Sequence, residues 1–467
     1  MVYRVESQIF DGKILVEENG KIVIKNPELF RRKMADDLLD TMILSDSAHL
    51  KKVCYWVAYN TGLQLNVVPS SIQGLYEARG KGEIKGFTVP AMNIRTLTFD
   101  LARAVFRAAN KINAGSFIFE IAKSEIGYTG QRPLEYSSAL ILAAIKENYS
   151  GPIFIQGDHF QVKAKNFFEN KDKEINPLKE LIQEAISASF YNIDIDTSTL
   201  VDLSKPSHDE QQKLNYDVCA LLTKYIRSLQ PKDIEISIGG EIGEVGGKNS
   251  TPDELHAYIK GYRKEIGKLK GISKISIQTG TSHGGVVLPD GSIAKVNIDF
   301  DTLKKLSEIA RKDYGMAGAV QHGASTLPNE AFHTFPEVEC AEIHLATQFQ
   351  NIVYDYLPLS LKEKIYNWLH SNFAAEKKPD MTNDQFIYKT RKSALGPFKK
   401  EIHSLPKEWK NKISLTLEEE FSFLFDKLRI KGTKNYVNEY VKTVPVQKKK
   451  EDFLKEEKDL GELEGAD

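Results

Sequence analysis

The stretch Ile234–Gly285, IEISIGGEIGEVGGKNSTPDELHAYIKGYRKEIGKLKGISKISIQTGTSHGG, decides how this chain is read. It opens on a short apolar run, Ile234 to Ile238, that ends in Gly239-Gly240-Glu241. A polar, glycine-rich segment follows, Gly243 to Ser250, with the composition of a mobile loop over a site or of an ordinary surface loop. Thr251-Pro252-Asp253-Glu254 then predicts a helix start: an N-cap threonine, a proline at the first position and a capping-box glutamate. A second apolar run, Lys274 to Gln278, ends in Gly280-Thr281-Ser282-His283-Gly284. A strand, a helix and a further strand imply parallel pairing through a right-handed crossover.

The same rhythm extends outward, from about Gly86 to Tyr354. Further apolar runs are Phe87 to Met92, Ser116 to Ala122, Pro152 to Gln156, Tyr191 to Ile195, Ala317 to Gln321 and Ala341 to Ala346. Amphipathic patterns lie between them. Leu101, Val105, Ala108 and Ile112 share one face, and Leu214, Val218, Leu221, Tyr225 and Leu229 another. About eight repeats over roughly 270 residues match a (β/α)8 barrel in size. A doubly wound open sheet competes, but it usually carries a Gly-rich turn after its first strand, where this chain has Asn93-Ile94-Arg95-Thr96. The expected class is therefore α/β, a (β/α)8 TIM barrel with an N-terminal extension and a C-terminal helical extension.

The expected division is an extension over 1–70, a barrel over 71–358, a helical extension over 359–446 and a solvated tail over 447–467. In the first part, Ile14 to Val16 and Ile22 to Ile24 flank Asn19-Gly20, a strong hairpin signal. Helical patterns follow at Phe30 to Leu44 and His49 to Ala58. The tail is rich in Glu, Asp and Lys and poor in large apolar groups, so it has little surface to bury.

Composition narrows the function classes. Lys and Arg number 63 against 64 Asp and Glu, which gives no reason to expect nucleic acid or an anionic membrane as partner. The three cysteines, Cys54, Cys219 and Cys340, form no CxxC pair. That argues against a disulfide framework or a thiolate zinc site. No run approaches the ~18 apolar residues of a membrane span, and the start does not read as a signal peptide. A cytoplasmic protein is expected, and a homodimer or higher homo-oligomer follows from base rates.

The chemistry should lie at the carboxyl ends of the barrel strands. The third strand runs into Gly157-Asp158-His159, the fifth into Glu241, the sixth into His283 and the seventh into His322-Gly323-Ala324-Ser325; Thr347 closes the eighth. Three of the ten histidines thus fall at strand ends. Three imidazoles converging on one mouth suit Zn²⁺ or another divalent metal, with one position open to substrate. Asp158 can pass a proton to or from a hydroxyl, or act as a cap or as an acceptor behind the metal ligands. Glu241 can be ligand, orienter or base, and spacing does not choose. Gly284, Gly323, Ser325 and Thr347 allow close approach of backbone N–H groups to an anion, which points to a phosphorylated substrate.

These residues resemble a known family. Phe87-Thr88-Val89-Pro90-Ala91-Met92-Asn93-Ile94 is similar to the first-strand motif of class II, metal-dependent fructose-bisphosphate and tagatose-bisphosphate aldolases. Asp158-His159, Gly240-Glu241-Ile242-Gly243, Gly280 to Gly284 and His322 to Ser325 follow in the family's order. Glu120-Ile121-Ala122 and Gly127 to Gly130 resemble the large-subunit proteins of the tagatose-bisphosphate system. The resemblance spans about Ser71 to Tyr354. It implies aldol cleavage and condensation of a ketose (bis)phosphate such as fructose 1,6-bisphosphate, through a zinc-stabilised enediolate of dihydroxyacetone phosphate. His159, His283 and His322 would hold zinc, and Glu241 would share or exchange it. Asp158 would move the hydroxyl proton. Gly284, Gly323, Ser325 and Thr347 would hold phosphate, with a monovalent cation close by.

Several positions depart from the family pattern. The loop glutamate that removes the substrate proton is replaced by Lys248-Asn249-Ser250, with Glu244 near. The strand-eight asparagine is His344, and the acid after the threonine is Gln348. Asp196 and Ser198 correspond loosely to the family's fourth-strand aspartate and serine. The alternatives are thus an aldolase or epimerase for a different hydroxy-ketone, or a non-catalytic aldolase-like subunit.

Overall fold

The computed structural model describes residues 1–243, 248–280, 297–325, 327–455 and 463. Eight parallel strands close a barrel: β4 Val89–Asn93, β5 Ile118–Ala122, β6 Gly151–Gln161, β7 Asn192–Asp196, β8 Ser237–Glu241, β9 Lys274–Ile277, β10 Ala319–Gln321 and β11 Glu342–Leu345. Each pairs with its neighbour in chain order, and β11 pairs back onto β4 through Glu342↔Val89 to Leu345↔Met92. Their residues are buried throughout, as expected of strands covered on both faces. The eight apolar runs of the sequence are these eight strands.

The crossover helices are the expected ones. In Pro252–Ile266 the Thr251 hydroxyl accepts from the Glu254 N–H while the Glu254 carboxylate accepts from the Thr251 N–H, so the capping box read from the sequence is formed. Thr98–Ile112 turns Leu101, Val105 and Ala108 inward. Between β10 and β11 the crossover is reduced to the short helix Thr334–Glu337.

The segments outside the barrel are packed onto it. β1 Leu15–Glu18 and β2 Lys21–Ile24 form the antiparallel hairpin, with Asn19 and Gly20 at φ 53° and 72° as an Asn-Gly turn requires. β3 Val67–Ser70 adds a ninth parallel strand beside the first half of β6. Helix Gln73–Gly80 then sends Tyr76 into the amino-terminal end of the barrel. At the other end of the chain, helix Lys407–Lys427 lies on Thr98–Ile112. Phe421 and Phe425 are fully buried there, and Glu418 pairs with Arg107 and Lys111. Beyond Gln447, where a solvated tail is expected, the helix Lys450–Leu454 instead docks on Ala48–Gln64, with Phe453 buried 5.8 Å from the Tyr59 ring. Phe453 is joined in seating this segment by Lys450, which pairs with Glu6 and Glu17, and by Lys448, which donates to Ser187 O and Ser189 Oγ. All three cysteines are buried and free, and no described helix is long and apolar enough to cross a membrane.

Candidate active site

The site grows from an irregularity in β6. That strand does not end at His159 but continues to Gln161, and its register against β7 slips between Gly157 and Phe160. At the slip His159 takes φ +38°, a left-handed conformation that costs a β-strand residue energy and marks a constrained position. The bulge turns two consecutive side chains, Asp158 and His159, toward the mouth, which a regular strand cannot do. Gly157 permits it: a Cβ there would lie 2.5 Å from Phe160 Cζ. Gly157→Ala is therefore expected to displace the bulge and to weaken divalent-metal binding by roughly 10- to 100-fold with the fold retained. A Co²⁺ titration beside a far-UV circular dichroism spectrum checks this.

Around the bulge the structure gathers His159, Glu241 from the end of β8, and His322 just after β10. Each offers a ligand atom within 4.8 Å of the others, and all three are buried. Glu241 Oε2 lies 3.6 Å from His159 Nδ1, and the rings of His159 and His322 are 4.3 Å apart. Asp196 at the end of β7 faces His159 Nδ1 at 3.2 Å and accepts from Gln161 Nε2 and from the Ser198 hydroxyl. A carboxylate behind an imidazole is the usual way a ligating histidine is oriented. Two imidazoles and a carboxylate, so held, fit a divalent cation of the zinc class. His283 and Gly284 lie outside the described residues, as do Glu244, Gly246 and Gly247 of the loop.

The other expected residues sit on the same face. Gly323 has φ +69°, and the Ser325 hydroxyl accepts the Ala346 N–H at 2.7 Å, joining the loops after β10 and β11. Thr347 does not close a strand. β11 stops at Leu345, and Thr347 is the first residue of helix Thr347–Tyr356. At the position of the family's loop base, Asn249 Nδ2 donates to Asp299 Oδ2, and Lys248 pairs with Glu254 at 2.7 Å.

Beneath the mouth lies a charged column that the strand-end reading did not find. Glu120 of β5, Gln156 of β6, Asp194 of β7, Lys274 of β9 and Glu342 of β11 all point into the barrel and are buried. Lys274 Nζ donates to Gln156 Oε1 and Asp194 Oδ2, both at 2.8 Å, and to Glu342. Gln156 Nε2 donates to Glu120 at 2.9 Å and to Glu342 at 3.0 Å, and the Tyr76 hydroxyl donates to Glu342 from the floor. Gly239 makes room for Asp194, since a Cβ there would meet its Oδ1 at 2.3 Å. His344, on β11, is turned down into this column. The signal in the sequence was a charged residue inside four of the eight apolar runs, in IFEIA, NIDID, KISI and EIHL.

The electrostatics follow from burial set against these partners. Burial raises the Asp158 carboxyl, but His159, His344 and His322 outweigh it and hold Asp158 well below the usual carboxylate range. Burial lowers His159, yet Asp158, Asp196 and Glu241 keep it well above an ordinary imidazole. His344 is raised in the same way, by Glu120 and Asp158 against burial. Burial and the neighbouring Asp196 push Glu241 well up. Burial, reinforced by Asp158, raises Glu120 to about 7. Burial also carries Asp194 to about 6 in spite of Lys274. Glu342 is brought to about 2 by Lys274 and His344 against burial.

These directions set a pH dependence for the metal-free protein. Glu120 and Asp194 bind protons more tightly folded than unfolded, so their contribution is present below about 4.5 and is lost as pH rises through 6 to 7. Glu342 acts oppositely, its contribution being lost as pH falls from about 4.5 toward 2. Stability in chelator should therefore fall between pH 5 and pH 8. Glu120→Gln should flatten that fall, and denaturant midpoints at the two pH values test both statements.

The family model described as fructose-bisphosphate aldolase class-II matches residues 76–414. The chain belongs to the class II fructose-bisphosphate aldolase family. That family is divalent-metal dependent and of the lyase type, in keeping with the buried donor set at the mouth. Among solved structures, the fructose-bisphosphate aldolase (Fba) of Campylobacter jejuni is 16% identical, with a TM-score of 0.47 over 79% of this chain and 98% of that one. The YdjI aldolase of Escherichia coli K12 is 15% identical, with a TM-score of 0.42 over 71% and 96%. A Sinorhizobium meliloti 1021 protein, named a probable tagatose 6 phosphate kinase, is 13% identical, with a TM-score of 0.53 over 74% and 100%. At that identity this last likeness speaks for the barrel fold alone. No curated protein matches the chain.

Proposed function

We propose that this class II family member is a metal-dependent aldolase that cleaves and re-forms a ketose (bis)phosphate such as fructose 1,6-bisphosphate. The observation that carries the reading is the convergence of His159, Glu241 and His322 beside a buried Asp158 at the carboxyl ends of β6, β8 and β10. These residues, with His283 of the Gly280-Thr281-Ser282-His283-Gly284 motif, would hold a divalent metal such as zinc. When bound, the metal supplies Lewis-acid polarisation of the substrate carbonyl.

The chain's own groups do the rest. Asp158, kept ionised by the histidines around it, accepts the proton of the substrate hydroxyl as the carbon–carbon bond breaks and returns it on condensation. Asp196 keeps the His159 ring in its orientation. Gly323 and Ser325, with Gly284 and Thr347, would take the phosphate at the paired loops after β10 and β11, where ring-type barrels bind such groups. A second reading, an aldolase or epimerase for a different hydroxy-ketone, is favoured by one observation. Asn249 and Lys248 stand where the family's loop base stands, and both are tied to neighbouring carboxylates.

The deciding experiment follows triose phosphate release from a panel of phosphorylated and unphosphorylated ketoses, with chelator and with Zn²⁺ or Co²⁺ restored. Release from a ketose bisphosphate that is lost in chelator and returns with metal is expected. Turnover of unphosphorylated ketoses alone would count against the phosphate assignment. Metal-independent cleavage would remove the reading altogether.

A further inference from the structure

His344 is where this chain departs from the family's asparagine on the eighth barrel strand, and its surroundings show what the ring does there. Its face lies on His322, with centroids 4.0 Å apart and planes 23° from parallel. Its Nδ1 sits 3.2 Å from Asp158 Oδ1 and 3.0 Å from Glu120 Oε2. Its Nε2 meets Glu342 Oε1 at 2.7 Å. Nε2 is thus in hydrogen-bond contact with Glu342, while Nδ1 lies at ion-pair distance from Asp158 and Glu120 without a hydrogen bond to either, and the ring is 6% exposed.

The brace under this ring is itself anchored. Glu342 is held by Lys274, Gln156 and, from the floor of the barrel, Tyr76. Glu120 is held by the same Gln156 amide, which keeps the two acids on either side of the imidazole. The result is a continuous column from Tyr76 at the amino-terminal end through Glu342 and His344 to Asp158 at the mouth, its last step an ion pair of 3.2 Å. An asparagine at 344 is shorter and has no ring face. It could not lie on His322 and reach both Asp158 and Glu342 at once.

We propose that His344 is a positioning residue that fixes the Asp158 carboxylate and the His322 ring in one geometry, braced from below by Glu120 and Glu342. The inference rests on the aldolase reading, because it assigns Asp158 and His322 their parts. It also gives the buried acids of the column a purpose: they hold the ring that holds the proton-transfer carboxylate.

The test is a double-mutant cycle of wild type, His344→Asn, Asp158→Asn and the double variant, with folding checked by circular dichroism. Activity is read on the ketose phosphate that wild type turns over best, and Co²⁺ affinity on its visible absorption. His344→Asn should lower kcat roughly 10- to 100-fold, the cost of misplacing a reacting group, with KM changed less than about threefold. In the Asp158→Asn background the same change should cost less than about threefold, since the effect runs through Asp158. Co²⁺ affinity should fall about tenfold in both backgrounds, because His322 is touched directly. Equal losses of kcat in the two backgrounds, or no loss, overturn the proposal. Should His344→Asn fail to fold, Glu120→Gln and Glu342→Gln loosen the ring at constant volume and must show the same dependence on Asp158. If wild type binds no Co²⁺ and cleaves no ketose phosphate, the aldolase reading falls and takes this inference with it. If wild type is active and the cycle is additive, only the positioning role falls.

Discussion

His322→Ala is expected to remove divalent-metal binding and to lower aldol cleavage by about 10³-fold or more. His322 belongs to two of the buried donor groups at the mouth, one with His159 and Glu241 and one with Asp158 and His344. Losing it leaves Glu241 and His159 of the first group, with His283 the one further ligand proposed, and removing one of the imidazoles leaves the set short of that of a tight site of the zinc class. Lewis-acid polarisation is worth several kcal/mol, and each ~1.4 kcal/mol is tenfold in rate. The same substitution removes the surface on which His344 lies, so Asp158 also loses its alignment. Metal content by mass spectrometry and cleavage rate in one preparation check the prediction. A variant that keeps one metal per chain together with near-normal cleavage would place the metal elsewhere.

The largest effect on stability is expected at Lys274, far from any solvent. Its ammonium is 1% exposed and serves Gln156, Asp194 and Glu342 together. Lys274→Met keeps the length of the side chain but removes the ammonium shared by Asp194 and Glu342, leaving these buried acids with the His344 ring as their remaining basic neighbour. Breaking a buried pair in this way costs about 3–5 kcal/mol. The cost should fall when the acids are neutralised too, in Lys274→Met with Asp194→Asn and Glu342→Gln, because an uncompensated buried charge is dearer than a missing pair. Denaturant midpoints of the wild type, the single variant and the triple variant decide. A single variant within about 1 kcal/mol of wild type would show that the column does not depend on this charge.

How far the site was legible depends on which property a residue expresses locally. Strand ends announce themselves, because apolar runs stop at glycines. Asp158, His159, Glu241 and His322 could therefore be placed at the mouth from order and rhythm alone. The bulge that aims Asp158 and His159 together could not, since it depends on a register slip against β7 and on the space beside Gly157. Glu120, Asp194, Lys274 and Glu342 were visible only as charges inside apolar runs. A strand residue at one position points in and its neighbour points out, and only closure of the barrel shows which strands face one another across the interior. His344 was noticed as a substitution, and its role waited on finding Glu120, Asp158 and Glu342 around one ring.

The periodicity of the sequence by itself determined the alternating strands and helices, because burial on both faces of a strand and on one face of a helix imposes those patterns residue by residue; it favoured a barrel over an open doubly wound sheet, and the pairing of β11 with β4 decided closure. It also determined the capped helix after β8, the Asn-Gly hairpin and the run of polar residues at the carboxyl ends. Only the tertiary structure decided that the interior beneath the mouth is a braced column of charge, that His344 lies among Glu120, Asp158 and Glu342, and that Phe453 is buried against Tyr59. Those facts rest on contacts between residues tens to hundreds of positions apart. Their energies come from mutual burial and charge compensation, which no single segment carries.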